Sequence, residues 1–327
     1  MYLREEEKEE NVKITSSNKP SISDEIIRKW QRIMNLIAKI IDVPAGLIMN
    51  ITEDSMVVYV KSQNKENPYP ERGSDTLGHG LYCETVIGKN KELHVENALE
   101  SKKWKDNPDV KLNMISYYGL PLQWPDEEVF GTICVLDNKS NNYSEKYKEL
   151  IKEFKFVIES DLRMLIYQEK LRYYSERDTL TSVYNRRKLE SIISSEFFRS
   201  KRTGNIFSVA IMDINKLKYI NDNYGHNVGD NVIKKFAEVF KNRIRTTDYF
   251  GRWGGDEFLL ICPNTDEKGM EKLIKDIKEK VEEKLDQVGK NFGFCTGFSQ
   301  FSPKDEEFKD IIARADEKLY QCKKNVE

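Results

Sequence analysis

A turn built from two glycines and two acidic residues constrains the second half of this chain more than any other feature. Gly254 and Gly255 permit a tight backbone turn, and the apolar run 258–262 after it predicts a buried strand. Asp256 and Glu257 stand where the turn becomes the strand. Because strand side chains alternate between two faces, both carboxylates reach one cleft only if the turn twists one of them round. The pattern predicts a hairpin that holds a divalent metal ion; an ordinary surface hairpin is the alternative.

Composition narrows the class of protein. The 327 residues suffice for two domains, each with its own core. Lys and Arg number 53 against 55 Asp and Glu, which argues against a nucleic-acid partner held by bulk electrostatics. No stretch reaches the roughly 20 apolar residues of a membrane span, and the charged start predicts no secretory signal. The 5 widely spaced cysteines predict free, mostly buried thiols and a cytoplasmic location.

The first half predicts an α+β domain over residues 23–143. Residues 1–22 are polar and charged, which predicts a disordered or fraying tail. A helix is expected from the cap Ser23 to just before Pro44. One of its faces is expected to carry Ile26, Trp30, Ile33, Ile37 and Ile40. Strands are expected at 46–51, 56–60, 117–124 and 129–137, the last two as a hairpin in an antiparallel sheet.

A long connecting helix is predicted at residues 144–177. Apolar residues recur along its first part at alternating spacings of three and four, namely Ile151, Phe154, Ile158, Leu162 and Leu165. This spacing is typical of a two-stranded coiled coil, and also of a helix that packs on its own domain. Both readings stay open from the sequence alone.

Residues 178–327 predict a second domain in which strands alternate with helices around the central hairpin. Strands are expected at 207–213 and 291–301, and helices up to 199, within 215–245, at 266–285 and at 305–324. Because the hairpin is antiparallel, the sheet is expected to be mixed and the fold α+β.

Asp213 marks the expected site of this domain. It ends an apolar strand, so its carboxylate is expected at the edge of the sheet, where Asp256 meets it if the two strands are neighbours. Ligands that are all oxygen select Mg²⁺ or Mn²⁺, and Mg²⁺ keeps phosphate and water ligands. The pattern therefore predicts a nucleoside triphosphate substrate. Taken alone, an Asp in this position more commonly caps the next helix.

Several motifs of the second half occur in a specific order. They are Thr179–Thr181, Asn185–Arg187, Asp213–Asp222, Tyr224–His226, Gly229–Asp230, Gly254–Phe258, Ala315–Asp316, Leu319–Tyr320 and Lys323. In order and spacing they resemble the GGDEF family of diguanylate cyclases, over nearly all of residues 178–324. The resemblance implies a palm-like nucleotidyl-cyclase domain that joins two GTP molecules into cyclic di-GMP and releases two pyrophosphates.

The resemblance also implies roles for individual residues. The expected ligands of two Mg²⁺ or Mn²⁺ ions per active site are Asp213, the Ile214 carbonyl and Asp256. Asp256 and Glu257 are the expected catalytic residues. The expected substrate-binding residues are Lys218 and the backbone of loop 215–218 with Lys323 for the phosphates, and Asn221 and Asp230 for guanine.

Guanine selection and dimerisation follow from these roles. A carboxylate at Asp230 accepts hydrogen bonds from guanine N1–H and N2–H₂, and a site of that kind rejects the wrong base by about 10⁴-fold. Since one domain holds one GTP, two copies must face each other. A homodimer is therefore expected, with the 144–177 helix as the device that forms it.

Arg245, Asp248 and Arg252 stand where the family binds its product as an inhibitor. An Arg-x-x-Asp pair can read guanine and phosphate, although a surface ion pair at a helix end is the alternative. Two positions depart from the family pattern. Asn215 replaces a frequent Asp, and Glu327 stands where the family has a phosphate-binding Arg, a loss that Lys324 could offset.

Three motifs of the first half, 81–87, 117–122 and 130–137, resemble a GAF domain. The resemblance implies a sensor that regulates the cyclase and binds an unknown small molecule or none. Cys83 could anchor a chromophore but fits a buried thiol better, and His79 and His94 are isolated candidates for haem. Four aromatic residues could line a pocket or form core: Tyr82, Trp104, Tyr117 and Trp124.

Three other functions are alternatives to the cyclase. A non-catalytic receptor could bind cyclic di-GMP through Arg245 and Asp248, but it would not need the metal carboxylates. A synthase of mixed cyclic GMP-AMP is disfavoured by Asp230. In the third alternative, ligand binding by the GAF domain is the main function and the cyclase has only weak activity.

Overall fold

The first helix begins where the sequence supplies a cap. The computed structural model describes residues 19–285 and 293–325. In it the Ser23 side chain accepts a hydrogen bond from the Ile26 N–H, which confirms the predicted start. The helix ends at Ile41, whose side chain is buried, whereas Ile40 is exposed. Ile40, expected on the same face as Trp30 and Ile37, is thus exposed where that face ends.

The chain divides into two compact units, residues 1–170 and 171–327. The elements of the first unit are α1 (Asp24–Ile41), β1 (Ala45–Ile51), β2 (Ser55–Lys61), β3 (Ser74–Thr76), α2 (Tyr82–Lys89), β4 (Leu93–Val95), β5 (Ser116–Gln123), β6 (Val129–Asp137) and α3 (Glu145–Glu176), whose last residues belong to the second unit. Among the described residues no helix combines the length and apolar character needed to cross a membrane.

The sheet of the first unit has six strands in the order β3-β2-β1-β6-β5-β4, and every neighbouring pair is antiparallel. Alternate side chains of β6 pack into two hydrophobic cores, one on each face of the sheet. Ile133 and Val135 pack with α1 and α3, whereas Cys134 and Leu136 pack with α2 and the loops on the other face. The predicted antiparallel α+β domain is confirmed. The four aromatic pocket candidates Tyr82, Trp104, Tyr117 and Trp124 are all core residues.

The first half of α3 packs on its own unit. Ile151, Ile158 and Leu162 are fully buried in the core that α1 and the sheet form, and Phe154 is partly buried there. The apolar spacing seen in the sequence therefore describes an intramolecular face, and these side chains are not available to a second copy of the chain.

The elements of the second unit are, in chain order, α4 (Arg186–Thr203), β7 (Phe207–Ile214), α5 (Leu217–Tyr224), α6 (His226–Arg243), β8 (Tyr249–Arg252), β9 (Glu257–Pro263), α7 (Glu267–Leu285), β10 (Phe294–Gln300) and α8 (Phe308–Lys324). The last strand was expected from residue 291, which lies outside the described residues, as does Glu327. The α+β class is confirmed.

The sheet of the second unit runs in the order β10-β7-β9-β8 with antiparallel pairs throughout. The sequence predicted a mixed sheet. In the described residues, however, the parallel pairing in this unit is limited to one bridge between Tyr184 and Gly251. The reason is that the β8–β9 hairpin returns the chain against β7 in the opposite direction. Helices α4 and α8 cover one face of the sheet, and α5, α6 and α7 cover the other.

Gly297 lets α8 lie directly on strand β10. A Cβ atom at this position would stand 2.0 Å from the Ala315 carbonyl oxygen and 2.2 Å from the Leu319 nitrogen. Only a residue without a side chain permits this approach. The close packing fixes the last turns of α8 against the sheet.

Candidate active site

Asp213 lies near the end of strand β7, on the face of the sheet that holds the buried residues Val209 and Ile211. Val209 and Ile211 face the core beneath α4 and α8, and Asp213 continues their row because strand side chains alternate. It is 9% exposed and lies directly across the sheet from Glu257 of β9. Cross-strand partners share a face, so these two carboxylates are neighbours.

The glycine turn brings Asp256 to the same place. The N–H groups of Trp253 and Gly254 both donate to the Glu257 carbonyl and close the turn. The Asp256 carbonyl in turn accepts a hydrogen bond from the Ile214 N–H at 3.2 Å, so the turn is tied to the end of β7. The sequence predicted that Asp213 and Asp256 converge. The strand register puts Glu257 opposite Asp213, with Asp256 one residue earlier in the turn.

The pKa values of Asp213 and Glu257 are both raised. Burial raises the pKa of Asp213, Lys323 opposes this, and the charge of Asp256 raises it further. Burial also raises the pKa of Glu257, with Lys323 opposing and the charges of Asp213 and Asp256 adding to the rise. A raised carboxyl pKa means that the ionised form is costly here, and a bound cation relieves that cost.

Lys323 supplies a cation from the last turn of α8. Its Nζ donates to Asp213 Oδ2 at 2.6 Å. Burial lowers the pKa of Lys323, but the hydrogen bond to Asp213 and the nearby carboxylates leave it raised overall. The structure therefore places this lysine among the acids, next to the position that a triphosphate would take if Asp213 holds its metal.

The acidic group suits magnesium only together with a nucleotide. Among the described residues no three His, Cys, Asp or Glu side chains are arranged to hold a metal by themselves. Mg²⁺ uses one or two protein carboxylates and takes its other ligands from phosphates and water. Asp213 and Asp256 provide that number of hard oxygen ligands, so the donor set fits Mg²⁺ or Mn²⁺ that arrives with a triphosphate.

The turn between β7 and α5 is the loop expected to bind the phosphates. Asn215 donates its N–H to the Gly293 carbonyl at 3.0 Å, and Lys216 has a left-handed backbone with φ of 57°. No side chain caps the N–H groups in the first turn of α5. Such groups bind phosphate. Lys218 follows in the first turn and is exposed.

The expected guanine-binding residues come together where α5 meets α6. A Cβ on Gly229 would stand 1.9 Å from Asn221 Oδ1, so the Asn221 side chain lies against the backbone of α6 at the residue before Asp230. Gly225, with φ of 83°, forms the junction between the two helices. The structure thus brings Asn221 next to the turn of α6 that carries Asp230.

The three residues expected to bind product have different surroundings. Arg245 is exposed, whereas Asp248 is buried and accepts a hydrogen bond from the Arg245 N–H at 2.9 Å. Arg252 donates to the Gly255 carbonyl and to the carboxylate of Asp178. Sequence reasoning assigned no role to Asp178, which pairs with Arg252 at 3.3 Å and ties the start of the unit to the turn.

A cavity of about 510 Å³ that the sequence did not reveal opens beside Glu257. Trp253, Glu190 and Asp316 are among its lining residues, and the guanidinium of Arg186 lies 4.8 Å from the Trp253 ring centre. The charge of Asp316 contributes to the raised pKa of Glu257. The residues come from α4, the turn and α8, so no local motif signals the cavity.

The fold and site define a chain with two α+β units, the second of which brings Asp213, Glu257 and Lys323 together. Residues 25–156 match the model of the family described as "GAF domain", and residues 175–327 match "Diguanylate cyclase, GGDEF domain". The chain therefore carries a GAF domain followed by a GGDEF domain.

Curated relatives include two proteins of Escherichia coli (strain K12). "Diguanylate cyclase DosC" is 32% identical over 190 residues, which are 56% of this chain and 41% of that protein. "Diguanylate cyclase DgcP" is 22% identical over 308 residues, 90% of this chain and 89% of the relative. The matched region thus spans about two fifths of the length of DosC.

Among solved structures, the coiled coil and GGDEF domain of DgcB from Caulobacter crescentus, in complex with c-di-GMP, is similar to this chain. The TM-score is 0.50 and the identity 23%, over 56% of this chain and 96% of the other. At that identity the likeness concerns the fold alone.

Proposed function

We propose that this protein is a diguanylate cyclase, which condenses two GTP molecules into cyclic di-GMP and releases two pyrophosphates. The observation that carries the proposal is the acidic group itself: buried Asp213 opposite Glu257, with Asp256 in the turn tied to the same strand. The family match and the names of the two curated relatives support it.

Different residues of the site would bind the triphosphate and the guanine base of the nucleotide. A divalent metal that binds with the substrate would supply charge neutralisation of the triphosphate and a lower pKa for the attacking 3′-hydroxyl. Asp213 and Asp256, with the Ile214 carbonyl, are the residues that would hold it. The N–H groups at the start of α5, Lys218 and Lys323 would bind the phosphates, and Asn221 and Asp230 would select guanine.

The decisive experiment incubates the purified chain with GTP alone, ATP alone and both, with Mg²⁺, and identifies the products by mass. We expect cyclic di-GMP from GTP alone and no product from ATP. A mixed cyclic GMP-AMP would favour a hybrid synthase. Binding of cyclic di-GMP without any synthesis would favour a receptor, and either result would contradict the proposal.

Lys323→Ala is expected to raise the KM for GTP about tenfold, with a smaller change in kcat. A lysine ammonium within reach of phosphate makes a charge-assisted bond of about 1.5 kcal/mol, which corresponds to roughly that factor. Steady-state kinetics at saturating Mg²⁺ measure it. Lys318→Ala is the matched control, because Lys318 lies on the same helix but pairs with Glu267. An unchanged KM in the Lys323 variant would remove this lysine from the site.

Dimerisation is proposed through the exposed face of α3, because each cyclase domain holds only one of the two GTP molecules. Four large exposed side chains follow one another at spacings of three and four: Met164, Tyr167, Leu171 and Tyr174. This spacing is the seam of a two-stranded coiled coil, and it differs from the face that is buried in the first unit. A second copy of the same helix is the partner that repeats the pattern.

Leu171→Glu combined with Tyr174→Glu is expected to weaken dimerisation tenfold or more, since two charges per helix would enter an apolar seam. These side chains are 68% and 69% exposed, so the fold should persist. Sedimentation velocity measures the dimer, and cyclase activity should fall most at low protein concentration. Phe156→Glu is the control, because Phe156 is exposed but lies outside the spacing. An unaltered dimer in the double variant would exclude this seam.

Product inhibition is proposed through Arg245, whose side chain is exposed. Arg245→Ala is expected to raise the inhibition constant of added cyclic di-GMP at least about tenfold, since a bidentate contact to guanine contributes about 1–3 kcal/mol. Arg243→Ala, near the same helix end, is the matched control. Equal inhibition of the Arg245 variant and the wild type would end the idea. Roles for Asp248 and Arg252 in this site stay predictions, because both would have to leave their present partners.

Regulation by the GAF domain is proposed through α3, which is continuous from one unit to the other. A cytoplasmic location is likewise proposed, and it is supported by the five cysteines, all of which are free thiols.

A further inference from the structure

The GAF domain contains a cavity of about 400 Å³ beside β1, β2 and β3. Its other wall is the short 3₁₀ helix Pro108–Leu112. The lining is largely apolar, with Met49, Met56, Val58 and Leu81 among its side chains. A cavity of this size and character is typical of a site for a small organic molecule.

Asp109 brings a buried carboxylate to this cavity. Asp109 is 9% exposed, and the Tyr69 hydroxyl donates to its Oδ1 at 2.7 Å. In the described part of the chain this is the only side chain that donates to the Asp109 carboxylate, and no Lys, Arg or His forms an ion pair with it. Buried acids are normally paired with a cation, so an acid that lines a cavity without one is unusual.

The charge of Asp109 is present at neutral pH. Burial raises its pKa to about 6, against the lowering effect of the Tyr69 hydrogen bond and with a further rise from the charge of Asp75. At pH 7 the carboxylate is therefore mostly ionised, and the native state bears the cost of a buried charge. Such a cost is more readily explained by a ligand than by packing.

The other charged residues that line the cavity do not neutralise the charge of Asp109. Asp75 is a second acid and pairs with His79, whose Nδ1 lies 2.7 Å from Asp75 Oδ1. Lys111 is exposed at the rim and, in the described part of the chain, makes no ion pair with either acid. The lining thus has two carboxylates against one solvated ammonium, which favours a cation inside.

We propose that this cavity binds a small organic cation, namely an amine, amidine or guanidine with an apolar body. Its N–H groups donate to the Asp109 carboxylate, and the body lies against Met49, Met56 and Val58. Charge-assisted hydrogen bonds to a buried carboxylate provide the selectivity for a cation over a neutral or acidic molecule of the same shape.

The test uses the full chain and ¹⁹F NMR of four fluorinated probes with the same ring. Fluorobenzamidine and fluorophenethylamine carry a cation, fluorobenzyl alcohol is neutral and fluorobenzoate is an anion. We expect both cations to bind at least tenfold more tightly than the alcohol and the acid. Equal binding of all four, or binding of none, would overturn the proposal.

Asp109→Asn assigns the binding to this carboxylate. The variant keeps the acceptor for Tyr69 but loses the charge, and we expect cation binding to weaken at least tenfold. Asp106→Asn is the matched control, because Asp106 is an exposed acid on the same loop that does not line the cavity. Cation binding by Asp109→Asn that equals the wild type would refute the assignment.

Two further measurements distinguish loss of the binding site from unfolding of the variant. Asp109→Asn should melt at a higher temperature than the wild type at pH 7, because it removes a buried charge. Val58→Phe, which fills the apolar wall, should block the cations while Asp109 stays in place; undiminished binding by it would also refute the site. None of these readouts uses cyclase activity, so the proposed function stands or fails separately.

Discussion

Asp256→Asn is expected to lower kcat for cyclic di-GMP synthesis by about 10³-fold, the scale on which loss of one preorganised group that stabilises charge in a transition state is felt. Asn keeps the size of the side chain, and the bond from the Ile214 N–H to the residue-256 carbonyl belongs to the backbone and is retained. The fold of the turn should therefore survive. The lost charge is one of those that raise the pKa of Asp213, so the remaining acid should ionise more easily but hold a cation less well.

The measurement is single-turnover synthesis of cyclic di-GMP across a range of Mg²⁺ concentrations. We expect the Mg²⁺ requirement to rise together with the loss of rate, which distinguishes a metal-binding role from a change in guanine recognition. Asp222→Asn is the matched control, since Asp222 is an exposed acid on the neighbouring helix α5. A variant at Asp256 with a rate within tenfold of the wild type would rule out this acid as a catalytic residue.

Gly297→Ala is expected to lower the free energy of unfolding of the second unit by about 3 kcal/mol or more, the upper range for overpacking a core. The new methyl group would overlap the backbone of α8 at Ala315 and Leu319, and backbone atoms cannot turn aside as a side chain can. The helix must then move away from β10, taking Lys323 out of reach of Asp213. We therefore expect a raised KM for GTP in whatever fraction stays folded.

Urea unfolding followed by hydrogen exchange of β7, β9 and β10 measures this loss within the second unit. Gly255→Ala serves as the control for stability, because a Cβ there would meet no heavy atom within 4 Å. Its unfolding free energy should stay within about 0.5 kcal/mol of the wild type. Equal stability of the two variants would show that α8 does not depend on the missing side chain.

Features that depend on neighbouring residues could be predicted from the sequence. Features that depend on pairing between distant strands could not. The cap at Ser23 and the glycine turn were readable because their chemistry lies within a few residues. That Asp213 faces Glu257 depends on the register between two strands some forty positions apart. The burial of Asp248 and the pairing of Arg252 with Asp178 likewise depend on tertiary contacts that no short motif encodes.

The connecting helix shows the same limit. Its alternating apolar residues fitted both a coiled coil and a helix packed on its own domain. Only the surrounding core shows that Ile151, Ile158 and Leu162 pack inside the first unit. The cavity around Asp109 was not predicted at all, because its wall combines three strands with a distant 3₁₀ helix. The aromatic residues that looked like pocket candidates were core instead.

This burial determines where the protein can be cut. A fragment that stops at residue 143, the boundary suggested by the sequence, would lose three completely enclosed side chains and leave a hydrophobic trough open to water. Such a piece should aggregate when expressed by itself, whereas one extended through Ile166 keeps the trough filled. Crystallisation of the GAF domain alone, or its fusion to another domain, therefore requires that length of helix.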